Sequence, residues 1–211
     1  MPAKLSAYNE KRDFNRTSEP EGVGGEPAGR LRFLVQHHLA RRDHYDLRLE
    51  WDGVLLSWAV PKGPSYNQRD KRLAVQVEDH PLDYAAFEGT IPEGQYGAGH
   101  VALFDRGVWA PEGDALERIA AGKLDFALEG ERLRGRFTLV RTGSGARQPQ
   151  WLLIKRSDAH ARDADADAMV ADAPTQARGR PRLSAGASRR TEARAAGTSS
   201  PPRATKAARR G

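Results

Sequence analysis

Cysteine is absent from the 211 residues. Disulfides and thiolate metal centres are thereby excluded, and any metal must be held by imidazole, carboxylate or water. No apolar run approaches the ~20 residues that span a bilayer, and the N-terminus lacks the apolar core of a secretory leader. A cytoplasmic location, nucleoid-associated in a bacterium, is therefore expected. Hydrophobic residues make up only 38% of the chain, below the usual globular share, so part of its length is expected to lie outside any core. A chain of this size allows one domain with a real core plus tails.

Negative charge is nearly missing from one end. Between Gln176 and Gly211 there are ten Lys/Arg and one Glu, so this segment carries +9 of a formal net +6 and leaves about −3 for the rest. The basic balance belongs to the tail and is weak evidence about the remainder. Residues 158–175 are rich in Ala and Asp, and residues 176–211 hold almost nothing but Ala, Arg, Gly, Ser, Thr and Pro. Such composition does not offset ordering entropy, and residues 158–211 are expected to form a disordered tail. Its basic end is suited to nucleic-acid phosphates, or to solubility alone.

Residues 1–29 read as a polar N-terminal arm, and residues 30–157 as the domain. Short alternating runs predict strands at 32–36, 44–51, 54–61, 73–78, 100–106, 123–129, 136–141 and 150–155. Asp52-Gly53 marks a hairpin turn. One short helix is expected over 114–121, stopped by Gly122. Many short strands with frequent turn signals predict an all-β fold, a barrel or a sandwich. The glycine-rich run Glu93–Gly99 lacks a Gly-Lys-Ser/Thr ending and a following helix, so it reads as a tight turn and not a phosphate loop.

The chemistry concentrates in His44-Tyr45-Asp46-Leu47-Arg48-Leu49-Glu50. On a strand His44, Asp46, Arg48 and Glu50 share one face, and Tyr45, Leu47, Leu49 and Trp51 the other. The polar face is either solvated or a site. Adding His38 and His80 supplies imidazoles for a divalent-metal site with open positions. Arg48 is suited to bidentate phosphate binding, and Lys62 and Arg72 add positive charge. Tyr84, four residues after His80, is placed to bring a hydroxyl to the site. Trp58 and His37 read as structural residues.

These blocks are recognisable together. Phe33–Glu50, Ser57-Trp58-Ala59-Val60-Pro61-Lys62-Gly63-Pro64, Val77-Glu78-Asp79-His80-Pro81-Leu82-Asp83-Tyr84 and Phe87–Gly99 resemble the 3′-phosphoesterase domain of bacterial DNA ligase D. So do Lys71–Val75, Gly130–Gly135 and Trp151–Lys155. The resemblance covers roughly residues 8–157. It implies a compact closed β-barrel, with one or two short helices, that heals DNA 3′ ends in non-homologous end joining. The implied activity is manganese-dependent removal of a 3′ phosphate, with trimming of 3′ ribonucleotides. By motif position it implies His38, His44 and Asp46 as metal ligands. Arg48, His80 and Tyr84 would contact the phosphate, with Lys62 and Arg72 on the phosphate side and Arg12, Asp13 and Glu19 of the arm supporting the nuclease step. A separate ligase or polymerase and a Ku-type end-binding protein are the implied partners of a stand-alone, monomeric member.

Leu39, Asp43 and Leu56 depart from the family's usual residues without removing a proposed catalytic group. Two other readings fit the residues: a non-haem iron oxygenase using His44, Asp46 and His80, and a non-catalytic DNA-end binder. Alanine at His44 or Asp46 is expected to abolish phosphate release with the fold intact.

Overall fold

Ten strands and two short α-helices make up the regular structure of the computed structural model, which describes residues 3–26, 29–143 and 148–163. Along the chain come α1 (Ser6–Glu10), β1 (Arg32–Ala40), β2 (His44–Trp51), β3 (Val54–Val60), β4 (Arg72–Gln76), β5 (His80–Pro81), β6 (Gly89–Ile91), β7 (Gly99–Pro111), α2 (Ala115–Ala120), β8 (Lys123–Gly130), β9 (Arg134–Thr142) and β10 (Gln150–Lys155). All predicted strands are present. β1 and β7 run further than their patterns indicated, while β5 and β6 are too short to carry an alternation. The 3₁₀ turn at Leu82–Ala86 was equally silent in the sequence.

The strands pair antiparallel in the order β1-β2-β3-β4-β10-β9-β8-β7, and β1 pairs back onto β7. The ring closes into an eight-stranded barrel without open edges, with β5 and β6 hanging off β3 and β7. The Asp52-Gly53 hairpin forms as expected, both residues having positive φ (48° and 79°). Asp114 caps α2 by accepting from the Glu117 amide at 2.9 Å, and Gly122 (φ 84°) ends the turn after it.

Val35, Tyr45, Leu47, Val60, Phe137 and Leu153 line one apolar cavity although they come from strands all around the ring. They mark the barrel interior. Alternation then puts Gln36, His38, Asp46 and Arg48 on the outer wall. That wall is not solvated. Leu5 and Tyr8 of the arm, with Leu82, Tyr84 and Phe87 after β5, are buried and belong to one hydrophobic cluster with the barrel core. The polar face of β2 therefore lies between the barrel and a cover.

The described chain continues past β10. The Lys155 side chain is fully buried, and its ammonium donates to the carbonyls of Arg136 and Arg156 (each 3.1 Å) and to Asp158 Oδ2 (2.5 Å). Asp158 thus belongs to the barrel end, and of the expected tail residues 164–211 lie outside the described residues. Asp158→Ala would leave a buried ammonium without its counter-ion, at about 3–5 kcal/mol. A urea titration should show that loss, and an unchanged midpoint would make the pair dispensable. Burial would raise the Asp158 carboxyl, but the Arg136 amide and Lys155 hold it down at about 2. A depressed acid stabilises above its unfolded pKa, so this contribution persists in mild acid and is lost only as pH falls toward about 2.

Candidate metal centre and its cleft

The β1–β2 hairpin assembles the centre by register. His38 stands directly opposite His44, and Gln36 opposite Asp46. The two imidazole centroids are 4.7 Å apart. His38, His44 and Asp46 each offer one ligand atom, all within 4.8 Å of one another. Backbone carbonyls fix both tautomers. His38 Nε2 donates to the Gly97 carbonyl at 2.8 Å, and His44 Nδ1 to the Arg42 carbonyl at 2.9 Å. This leaves His38 Nδ1 and His44 Nε2 facing Asp46, at 3.7 and 3.4 Å. Imidazoles held through their second nitrogen by carbonyls are the usual outer support of a metal site, so the donor set fits a divalent ion.

Arg48 is the electrostatic anchor. It donates from Nη2 to Asp46 (2.9 Å), from Nε to Gln36 Oε1 (2.8 Å) and from Nη1 to Ser57 Oγ (3.0 Å), and its guanidinium lies 4.6 Å from the Tyr84 ring centroid. Burial would raise the Asp46 carboxyl, but Arg48 and the two histidines outweigh it and hold the group ionised, well below the usual carboxylate range. Burial would likewise lower His44, yet its contact with Asp46 raises it.

A cleft of about 300 Å³ opens over this group, lined by His38, His44, Asp46, Arg48, Glu78, His80, Tyr84 and Tyr96, and by Arg12 and Glu19 from the arm. Arg12 ties the arm down. It pairs with Glu19 at 2.8 Å and Glu78 at 3.3 Å, meets His80 Nε2 at 3.3 Å and stacks 3.7 Å from the Tyr8 ring centroid. Glu19 also accepts from Thr17 Oγ1 (2.9 Å) and the Tyr84 hydroxyl (3.2 Å). His80 donates from Nδ1 to the Glu78 carbonyl at 2.9 Å. Burial, with Arg48 and Arg12 adding to it, pushes its pKa well below the ordinary value. His80 is thus neutral, its Nε2 turned to Arg12. Among the described residues, the group that could hold a metal consists of His38, His44 and Asp46 and does not include His80.

Of the expected site residues, His38, His44, Asp46, Arg48, His80, Tyr84, Arg12 and Glu19 converge on the cleft. Lys62, Arg72 and Asp13 do not line it. Lys62 is exposed in the turn after β3, Arg72 is buried on β4 beside Asp70 (3.4 Å), and Asp13 is exposed, accepting from the Asn15 amide at 3.1 Å. Glu50, left without a role by the sequence, is fully buried and binds Arg32 at 2.5 Å. Among the departures from the family pattern, Asp43 is exposed and Leu56 faces Leu49 in the core. Sequence reasoning passed over Gln36, Ser57, Glu78, Tyr96 and the Gly97 carbonyl. Strand alternation back from His38 points to Gln36, whereas a backbone acceptor leaves no side-chain signal.

Fold and site together define a closed barrel that carries a candidate divalent-metal group on its outer wall, inside a guanidinium-flanked cleft. The model of the DNA Ligase D 3′-phosphoesterase domain matches residues 36–141, and the chain belongs to that family. It is similar to the multifunctional non-homologous end joining protein LigD of Pseudomonas aeruginosa, 52% identical over 178 residues, which cover 82% of this chain and 21% of the relative. The LigD proteins of Mycobacterium tuberculosis (45% over 140 residues; 66% of this chain, 18% of the relative) and Mycolicibacterium smegmatis (39% over 175 residues; 79% and 22%) are also similar. The chain spans about a fifth of the length of these relatives.

Proposed function

We propose that this protein is a divalent-metal-dependent phosphoesterase that heals DNA 3′ ends for non-homologous end joining. It removes a 3′-terminal phosphate and trims a 3′-terminal ribonucleotide. The observation that carries the reading is the His38–His44–Asp46 group with both tautomers fixed, beside a buried arginine. Manganese is the assigned ion. When bound by these three residues it supplies Lewis acidity toward a phosphate oxygen. The partners are primer-template 3′ ends, a ligase or polymerase activity and a Ku-type protein. The assigned state is a monomer in the cytoplasm, and no described helix is long and apolar enough to cross a membrane.

The chain's own residues position and neutralise the substrate. Three of the five guanidinium N–H of Arg48 hold Gln36, Ser57 and Asp46, which leaves two for a phosphate oxygen. Water adds to phosphorus as the bond to the DNA 3′ oxygen breaks, and that oxygen takes a proton to become a free hydroxyl. Such transfer needs placement and charge stabilisation above all. For ribonucleotide trimming the 2′ hydroxyl is the discriminating group.

The test is an end-healing assay on a labelled primer-template bearing a 3′ phosphate or 3′ ribonucleotide, with manganese, magnesium, zinc or no metal. Product is expected with manganese and not without metal. End binding with no product in any metal would leave only a DNA-end binder. Arg48→Lys should also lose most turnover, because a point charge cannot span three acceptors and a stacked ring. Wild-type rates in that variant would make the fork unnecessary.

A further inference from the structure

Tyr96 is the one aromatic residue of the glycine-rich turn, and the assigned roles leave it unused. Its ring lines the metal cleft, yet 45% of its surface is exposed. Lys11 Nζ lies 4.9 Å and the Arg12 guanidinium 5.5 Å from its centroid. Those cations are fixed in turn, Lys11 by Glu78 at 2.9 Å. The neighbouring residue, Gly97, presents the carbonyl that orients His38. An open aromatic ring is therefore held one residue from the support of a metal ligand, with positive charge beside it. With nearly half of the residue's surface open, packing leaves part of it available to a ligand.

We infer that Tyr96 is the stacking platform for the terminal base of the DNA 3′ end, a positioning residue that sets affinity and not the chemical step. The inference rests on the phosphoesterase reading above. A 3′ phosphate and its own base are separated by a single sugar, so a phosphate at the metal group brings the base to the rim of the same cleft. Every base has a π-face, so such a platform tolerates all four. The adjoining cations draw in the backbone phosphates.

The experiment compares wild type, Tyr96→Ala and Tyr96→Phe on primer-templates ending in a 3′-phosphate nucleotide or in the same end without its base. Steady-state turnover and fluorescence anisotropy are measured in parallel. Alanine should raise KM and Kd for the base-bearing end on the order of tenfold or more, with little change in kcat. Phenylalanine should restore wild-type values. On the abasic end the wild type should lose the same factor, and alanine should add no further loss. Equal KM for wild type and Tyr96→Ala on base-bearing ends, or an equal penalty on abasic ends, would overturn the inference. If the wild type binds ends but turns over none, the phosphoesterase reading fails, and the base-dependent anisotropy still decides the stacking contact.

Discussion

Alanine in place of His44 should lower metal-dependent phosphate release from a 3′-phosphate primer by about a thousandfold or more. Lewis-acid stabilisation is worth several kcal/mol, and each 1.36 kcal/mol is a factor of ten. The same variant should barely shift the thermal midpoint of the metal-free protein. His44 lies at the strand end with its side chain 22% exposed, and its lost contacts are one carbonyl, one carboxylate edge and the tilted His38 ring. Asp46→Asn should behave differently. It too should be inactive, but Arg48, only 2% exposed, would lose its charge partner inside the wall. Breaking a buried pair from one side costs about 3–5 kcal/mol. Alanine at Asp46, expected from sequence to spare the fold, should be destabilising for the same reason. Phosphate release and urea unfolding on both variants decide the matter. Undiminished release by metal-stripped His44→Ala would remove the metal assignment, and equal stability of the two variants would remove the anchoring role of Arg48.

The second large effect is expected at Arg12. Its side chain is 4% exposed and faces two carboxylates that are themselves buried, Glu19 at 0% and Glu78 at 3%. Arg12→Ala would leave the buried Glu19 without a cation and Glu78 with Lys11 alone, again about 3–5 kcal/mol. The strain falls on the arm, because the barrel ring is closed by strand pairing that does not involve residues 3–26. Amide exchange and limited proteolysis should therefore show residues 3–26 opening while the barrel melts near its usual temperature. Phosphate release should fall with the arm, since Arg12 and Glu19 line the cleft. Lysine should not rescue, because the fork reaches Glu19, Glu78 and His80 from different nitrogens. Unchanged arm protection in Arg12→Ala would show that Tyr8 and Leu5 suffice to hold it.

The barrel was legible because its strands alternate and its turns carry Asp-Gly or Gly at the required places. Whether those strands closed or split into two sheets was not, since closure depends on the β1–β7 pairing, which joins positions as far apart as Arg32 and Val108. Spacing gathered His38, His44, Asp46 and His80 as candidates, and the family resemblance singled out the first three as the ligand set. The polar face of β2 was ambiguous for a physical reason: the same residues would suit solvent, and only the arm's Leu5 and Tyr8 with Tyr84 convert that face into an interior. Lys62 and Arg72 were attractive as positive charge, but charge carries no direction in a sequence. Gly97 and Arg42 act through their carbonyls, which any residue possesses.

Along β2, Asp46 and Arg48 face the cleft while Tyr45 and Leu47 face the barrel interior, in alternation. Losing one residue between Tyr45 and Trp51 would exchange the cleft-facing set beyond the lesion for the core-facing one. Polar groups would enter the barrel and leucines the cleft. The connecting turn is hardly freer, since the Arg42 carbonyl sets the tautomer of His44. Through this hairpin the protein can diverge by exchanging side chains but not by changing length, and a single codon inserted or deleted there removes stability and chemistry together.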